Sequence, residues 1–195
     1  MREYEIKRKT AETDITLKLN LDGRGDCDIE TGIGFFNHML TLFSVHSDFD
    51  LTLRCIGDTD VDYHHSVEDT AIALGEALEN ALGDKRGIKR YGFFLLPMDE
   101  SLVSVAIDIS GRSHLSFNCP FPTEKTGSFD TELVEEFFSS LVRYAGITLH
   151  IDLVRGRNSH HIAEAVFKGF AHALKEAVAI DERKKDVIPS SKGVL

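Results

Sequence analysis

An internal duplication constrains the fold of this chain more than any other feature of its 195 residues. Residues 64–68 (HHSVE) recur 96 positions later as residues 160–164 (HHIAE), and residues 15–25 (ITLKLNLDGRG) resemble residues 103–113 (VSVAIDISGRS) at a shift of 88. The difference between the two shifts indicates an insertion near residues 120–125. Matches that occur in the same order in both halves indicate two copies of one folding unit.

Each half has the same predicted order of elements: strands, a helix, a strand and a second helix. Strands with one buried face are indicated by strict alternation of apolar residues, and the first helix of each half by apolar residues at helical spacing. The alternating segments are 15–21, 49–55, 103–109 and 147–153, the helical segments are 34–47 and 130–145, and the shift of 96 aligns 51–53 (LTL) with 147–149 (ITL).

A long helix is predicted to begin at each histidine pair, with Asp62 and Ser159 in the positions of N-caps. The first of these helices should end near Gly83 and the second near Ile180. Two such units predict an α+β fold in which two sheets cover a layer of helices. We therefore expect a single domain, 1–195, made of repeats at about 1–90 and 91–180 and followed by a tail, 181–195.

Composition narrows the classes of protein to which the chain can belong. The formal net charge of −10 argues against a nucleic-acid partner, because binding to a phosphate backbone needs a basic face. The N-terminus lacks the apolar core of a signal peptide, and no segment has the roughly 20 apolar residues of a membrane helix. The three cysteines are far apart and form no metal-binding pair. We expect a cytoplasmic protein without a membrane or nucleic-acid partner.

The repeated HHxxE motif predicts two metal sites. Residues three or four apart on a helix share a face, so Glu68 lies beside both His64 and His65, whereas adjacent histidines point in different directions. Two neighbouring histidines therefore suit two different ions better than one. Imidazole and carboxylate ligands without thiolate favour Mn, Fe, Zn or Co. A lone histidine is more often structural, and this is the interpretation we favour for His114 and His172.

His38 extends the set of candidate ligands. It lies on the first helix, and Glu136 is its counterpart on the copied helix if the second helix–strand connection is two residues shorter. Taken alone, His38 is a helix-surface histidine and Glu136 a solvated charge. Paired by the repeat, both become candidate ligands.

Long motifs in the correct order resemble the imidazoleglycerol-phosphate dehydratase family over nearly the whole chain. The matching segments are TGIGFFNHML, DYHHSVEDTAIALGEAL, RYGFFLLPMDESL, DISGR, GITLHIDLVRGRNSHHIAEAVFKGFAHAL and PSSKGVL. The resemblance implies a duplicated α+β fold, ribosomal protein S5 domain 2-like, with helices packed between two four-stranded sheets. It implies dehydration of imidazole glycerol phosphate to imidazole acetol phosphate in histidine biosynthesis. It also implies two Mn²⁺ ions per active site and trimers that assemble into a 24-mer when metal binds.

The resemblance also implies roles for particular residues. One metal ion would be bound by His64, Glu136, His160 and Glu164, and the other by His38, His65, Glu68 and His161. Many relatives have a histidine where this chain has Glu136. The residues implied to bind the substrate are Glu12, His46, Arg90, Asp99, Arg112, Ser190 and Lys192. Lys168 is four residues after Glu164 on the same face of the predicted helix, so it is a further candidate contact.

The chemistry requires loss of a hydroxyl group and of a carbon-bound proton that is not acidic. A ring held by two cations can become an imidazolate, because a cation lowers the pKa of the group that it binds. The ring can then expel hydroxide and give a diazafulvene-like intermediate. Glu12 is the candidate general base, with Asp99 and Glu100 as alternatives.

Three other functions remain open at this point. A di-iron oxidase uses Glu-x-x-His motifs on a helical bundle, which differs from the motif order and strand content here. A metal-triggered assembly protein would leave Arg90, Arg112 and Lys192 unexplained. Nucleic-acid binding is disfavoured by the acidic charge.

Overall fold

A computed structural model describes residues 2–195. The first half contains β1 (Glu3–Lys9), β2 (Thr13–Asn20), β3 (Cys27–Glu30), α1 (Gly34–Ser47), β4 (Asp50–Gly57) and α2 (His64–Leu82). The second half contains β5 (Tyr91–Met98), β6 (Ser101–Asp108), β7 (His114–Asn118), β8 (Lys125–Thr126), β9 (Phe129–Asp130), α3 (Glu132–Ala145), β10 (Thr148–Arg155) and α4 (Ser159–Val178). The predicted α+β fold is confirmed, with the same order of elements in both halves apart from the additional β8 and β9 strands of the second half.

The two halves build matching sheets. Within residues 2–195, one four-stranded sheet has the order β1-β2-β4-β3 and the other has the order β5-β6-β10-β7. The inner faces follow the predicted alternation, since Ile15, Leu17 and Leu19 of β2 are fully buried. The equivalent Val103 and Val105 of β6 are fully buried as well.

Strand pairing gives the true alignment of the repeats. Leu19 pairs with Leu51, whereas Ile107, which is 88 positions after Leu19, pairs with Leu149. The equivalent of Leu51 is therefore Leu149 at a shift of 98, and the alignment of 51–53 with 147–149 at a shift of 96 was wrong. Shifts of 96 and 98 keep the same residues on the buried face, so alternation could not distinguish them.

Differences in connection length explain the changes in shift. Between β7 and α3 the chain has a long connection, 119–131, that contains the β8–β9 hairpin and the predicted insertion at 120–125. The two helix–strand connections, 48–49 and 146–147, are equally long, contrary to the expectation of a shorter second one. The shorter connection of the second half instead joins β10 to α4.

The helices form the layer between the sheets, and aromatic side chains fill it. α1 packs on α4 and α2 packs on α3. The Phe43 ring of α1 stacks on Phe170 of α4 with ring centroids 5.7 Å apart. Phe138 and Phe167, both almost completely buried, lie with centroids 5.1 Å apart. Because burying one such ring stabilises a fold by roughly 1.5–3 kcal/mol, this layer holds the halves together.

The N-termini of the two long helices are capped by side chains just ahead of the histidine pairs. The Asp62 carboxylate accepts a hydrogen bond from the His64 backbone N–H at 2.7 Å, although Tyr63 occupies the cap position. In α4 the cap is Asn158, which accepts from the N–H groups of His160 and His161. Ser159 is the first helical residue rather than the predicted cap, since the helix begins one residue earlier than its sequence indicated.

The tail packs against the segment that joins the two repeats. The Gly87 N–H donates to the Val187 carbonyl at 3.0 Å, and the Arg90 guanidinium donates to the Pro189 carbonyl at 2.9 Å. None of the helices formed by residues 2–195 is long and apolar enough to cross a membrane.

Candidate active site

His38, His160 and Glu164 form one compact cluster. The Nε2 atoms of His38 and His160 lie 3.0 Å and 2.9 Å from the same oxygen, Oε1 of Glu164. One potential ligand atom from each residue lies within 4.8 Å of the others. A divalent cation with imidazole and carboxylate ligands, such as Mn²⁺, fits this donor set.

Helix packing explains why these three side chains meet. His160 and Glu164 are four residues apart at the start of α4, so they share a face of the helix. α1 runs parallel to α4, because His38 contacts Glu164 while His46, eight residues later, lies beside His172. The predicted division placed His38 with His65, Glu68 and His161, whereas a single chain brings it to Glu164.

The charge of Glu164 is maintained although its side chain is only 9% exposed. Burial alone would raise its pKa, but hydrogen bonds from Lys168, His38 and His160 outweigh burial and lower the pKa to about 2. Lys168 Nζ lies 2.5 Å from the second oxygen, Oε2. Glu164 is therefore an anion, and an anion can bind a metal ion.

A second cluster forms at the start of α2. His64 Nε2 lies 3.7 Å from a carboxylate oxygen of Glu68. His65 Nδ1 lies 2.9 Å from Asp58, and its Nε2 lies 3.6 Å from Glu12. The Asp58 hydrogen bond raises the pKa of His65. Glu12, the predicted base, is therefore close to a predicted ligand.

His161 has a similar environment at the start of α4. Its Nδ1 lies 2.7 Å from Glu100, and its Nε2 lies 3.7 Å from Asp99. Glu100 also accepts hydrogen bonds from the backbone N–H groups of Asn158 and Arg157. The hydrogen bond from His161 is the largest cause that lowers the Glu100 pKa to about 2.

Asp58 and Glu100 are functional candidates whose roles the sequence did not reveal. A carboxylate that holds the Nδ1 atom of a histidine fixes the ring and leaves Nε2 available to a metal ion. In the repeat, the equivalent of Glu100 is Glu12, at a shift of 88. Since Asp58 holds His65, Glu12 is not required for that contact. The sequence positions of Asp58 and Glu100 did not indicate that non-equivalent residues hold the two histidines.

Glu136 is half-buried on α3 and accepts a hydrogen bond from Ser140 at 3.2 Å. It follows His38 by 98 positions, which is the shift between α1 and α3, so it occupies the equivalent position. A carboxylate is therefore present where the other half of the repeat has an imidazole. Its role as a ligand stays a prediction.

The predicted phosphate-binding residues lie on another part of the surface. Arg90 donates two hydrogen bonds to Asp108, at 2.7 Å and 3.1 Å, and Arg112 lies 3.7 Å from the same carboxylate. The tail residues Ser190 and Lys192 follow Pro189, whose carbonyl binds Arg90. Four of the predicted residues are thus grouped around Asp108 and the tail.

His46 and Lys168 lie between these regions, at the α1–α4 contact. The His46 and His172 rings are 5.2 Å apart, and His172 stacks on Phe94 with ring centroids 4.4 Å apart. Burial is the largest cause that lowers the His46 pKa, followed by the charges of His172 and Lys168. The stacking of His172 on Phe94 agrees with the prediction that His172 is a structural residue.

The His38–His160–Glu164 cluster and the predicted phosphate-binding residues lie at opposite ends of α4. Glu164 is near the start of the helix, whereas the Arg90 N–H donates to the carbonyl of Ala177 at its end. Those 13 residues correspond to about 20 Å of helix at 1.5 Å per residue. One small ligand cannot bridge this distance within one chain.

The fold and the clusters define a class of protein: an internally duplicated α+β enzyme with histidine–carboxylate clusters at the N-termini of its two long helices. The family model for imidazoleglycerol-phosphate dehydratase matches residues 31–174, well over half of the chain. The chain belongs to the imidazoleglycerol-phosphate dehydratase family, a family of lyases.

Relatives support this assignment along the full sequence. The chain is 61% identical to an imidazoleglycerol-phosphate dehydratase of Cereibacter sphaeroides over 195 residues, which are 100% of both chains. It is 60% identical to that of Roseobacter denitrificans, again over 100% of both chains.

Two solved structures share the fold. The crystal structure of imidazoleglycerol-phosphate dehydratase from Staphylococcus aureus has a TM-score of 0.84 and 45% identity, and the match covers 92% of this chain and 99% of that chain. The enzyme from Pyrococcus furiosus has a TM-score of 0.84 and 34% identity, with coverage of 97% and 100%.

Proposed function

We propose that the chain dehydrates imidazole glycerol phosphate to imidazole acetol phosphate in histidine biosynthesis, in the cytoplasm. Membership of the dehydratase family supports the reaction. The observation that carries the proposal is the convergence of His38 Nε2 and His160 Nε2 on the buried carboxylate of Glu164. A buried carboxylate beside two imidazoles is a donor set that suits a divalent cation.

Two metal sites per active site are proposed, both for Mn²⁺. One is built on His38, His160 and Glu164, and the other on Glu68 with either His64 or His65, with the remaining histidine of that pair, Glu136 and His161 as further candidate ligands. Bound ions would supply positive charge that stabilises the deprotonated imidazole ring of the substrate and would orient that ring. Asp58 and Glu100 hold His65 and His161 by Nδ1, so that Nε2 of each ring faces the site.

Glu12 is the proposed general base. Its side chain is about half exposed and lies 3.6 Å from His65 Nε2, so it can reach a substrate at that ring. Glu100 is less suitable, because it is held by His161 and by two backbone N–H groups. After hydroxide leaves and the diazafulvene-like intermediate forms, Glu12 accepts the neighbouring carbon-bound proton, and the resulting enol becomes the ketone.

The phosphate is proposed to bind Arg90, Arg112, Ser190 and Lys192, with His46, Lys168 and Asp99 as further substrate contacts. These cations can create a local positive pocket on an acidic protein. The three-carbon chain between ring and phosphate is far shorter than the separation of about 20 Å along α4. We therefore propose that each active site takes its ligand histidines and its phosphate-binding residues from different subunits.

Subunit contact of this kind requires a closed assembly, and we propose the trimers and the 24-mer that the family resemblance implies. A symmetric oligomer repeats one heterologous contact until the ring closes, and every active site is then equivalent. Sedimentation of the protein with and without Mn²⁺ tests this assembly.

The decisive assay uses metal-stripped protein and imidazole glycerol phosphate with and without Mn²⁺. The proposal predicts formation of imidazole acetol phosphate that depends on added metal. Glu164→Gln, which keeps the side-chain shape but removes the charge, should abolish metal-dependent turnover and reduce bound metal. Metal-independent turnover, or none with Mn²⁺, would reject the proposed function.

A further inference from the structure

The β1–β2 hairpin, which carries Glu12, is attached to α2 by a partly buried polar network. The Asp69 side chain is 9% exposed, and one of its oxygens accepts hydrogen bonds from Arg8 at 2.8 Å and 3.1 Å. The other oxygen accepts from the hydroxyl of Thr13 at 2.5 Å and from that of Thr10 at 3.3 Å. We call these four residues the Asp69 clamp.

The clamp extends from α2 to the backbone of Glu12. The Thr10 hydroxyl oxygen accepts hydrogen bonds from the N–H groups of Glu12 at 3.1 Å and Thr13 at 3.0 Å. Asp69 follows Glu68 directly and lies one turn after His65, on the helix that carries these predicted ligands. The Asp69 carboxylate therefore joins α2 to the turn that presents Glu12.

A second link runs through Asp58. The Asp58 N–H donates to the carbonyl of Glu12 at 3.1 Å, while the Asp58 carboxylate holds His65 Nδ1 at 2.9 Å. The hairpin turn is thus fixed from both sides, by its N–H group and by its carbonyl. The backbone of such a turn has few conformations open to it, and the position of the Glu12 side chain is restricted as a result.

The second half of the repeat lacks the charged part of the clamp. The position equivalent to Asp69, at a shift of 96, is Ala165, and the position equivalent to Arg8, at a shift of 88, is Leu96. Leu96 and Ala165 are buried, so apolar packing can attach the second hairpin to its helix without buried charges. Because a buried ion pair is weak evidence for stability, the charges of the first half need another explanation.

We infer that Asp69, with Arg8, Thr10 and Thr13, positions the Glu12 carboxylate for proton transfer. The inference rests on the proposed role of Glu12 as the base. The clamp does not touch the substrate, so these four are positioning residues. A displacement of a reacting group by about 1 Å can lower turnover by about 100-fold. A change in the position of the Glu12 carboxylate should therefore be measurable as a change in kcat.

A double-mutant cycle tests the inference. Thr10→Val removes the hydroxyl that binds the Glu12 N–H but keeps the shape, and Thr10→Ser restores the hydroxyl. We expect Thr10→Val to lower kcat by about 10- to 100-fold with little change in KM, and Thr10→Ser to recover most of kcat. In the Glu12→Gln background, Thr10→Val should cause no further loss, because both changes act on one group.

The matched control is Asp14→Asn, which breaks the exposed Lys9–Asp14 ion pair of the same hairpin. It should leave kcat unchanged. An equal loss of kcat from Thr10→Val in both backgrounds would show a general structural effect and overturn the inference. Unchanged kcat in Thr10→Val would also overturn it.

Hydrogen exchange separates failure of this inference from failure of the proposed function. Thr10→Val should speed exchange of the Glu12 and Thr13 amides at least tenfold, while Asp14→Asn should not, whether or not the protein turns over the substrate. If the wild type lacks activity, the proposed function fails, and the exchange rates still test whether the Asp69 clamp holds the turn. Unchanged exchange in Thr10→Val would show that the clamp does not hold the turn.

Discussion

Mixed assemblies of two inactive variants provide a stringent test of an active site shared between subunits. One variant is His160→Ala, which removes a predicted ligand at the start of α4. The other is Arg112→Ala with Lys192→Ala, which removes two predicted phosphate-binding cations. Glu164, beside the predicted ligand histidines, and the Arg90 region lie about 20 Å apart along α4, so one chain would not supply both parts of the proposed site.

The expected activities follow from random assembly. If each site takes its histidines from one subunit and its cations from another, an equal mixture of the two variants restores about one quarter of the sites in a symmetric oligomer. A site contained within one subunit would give no activity in the same mixture.

A single chain that carries all three substitutions, mixed equally with wild type, is the matched control. A shared site again predicts about one quarter of wild-type activity, whereas a site within one subunit predicts about one half. Co-expression with two affinity tags, followed by tandem purification, gives the mixed assemblies, and product formation is measured per subunit. Zero activity in the first mixture together with one half in the second would refute the reasoning.

The remaining predictions concern single residues. Glu12→Gln should lower kcat at least 100-fold and leave the metal content unchanged; near-normal turnover would remove it as the base. Lys192→Ala should raise KM strongly with intact metal binding, and an unchanged KM would exclude the tail from the site. Glu100→Gln should weaken Mn²⁺ binding about 10- to 100-fold, as measured by calorimetry, because the neutral amide removes the negative charge of the group that holds His161 at Nδ1. The backbone N–H groups of Arg24 and Asp26 lower the pKa of Asp50. This carboxylate therefore contributes stability above its unfolded pKa, and the contribution is lost as the pH falls through the lower folded value. The difference between wild type and Asp50→Asn in denaturant midpoint should shrink below pH 4, and a constant difference would contradict this.

The duplicated fold could be predicted because each half carries the same alternation and helical spacing, and because the HHxxE motif occurs twice. The alignment error of two residues arose because a shift of 96 and a shift of 98 leave the same side of β10 buried. The cap of α4 was misassigned because Asn158 and Ser159 are both good cap residues. The position at which the helix starts decides between them.

The grouping of the candidate residues within one chain could not be predicted from the sequence. His38 meets Glu164 because α1 packs parallel to α4, and a contact between residues 126 positions apart leaves no periodic signal. Asp58 and Glu100 perform the same task for His65 and His161 but come from different positions of the repeat. The duplication could not reveal Asp58 and Glu100, because a comparison of the two halves matches only equivalent positions.

Diffraction from crystals grown with excess Mn²⁺, measured at the manganese absorption edge, tests the central claim most directly. Two anomalous peaks per chain are expected, one within coordination distance of Nε2 of His38 and His160 and of Glu164, and the other beside His64, His65 or Glu68. Maps without anomalous density at Glu164, in crystals of a protein that turns over the substrate, would contradict the account.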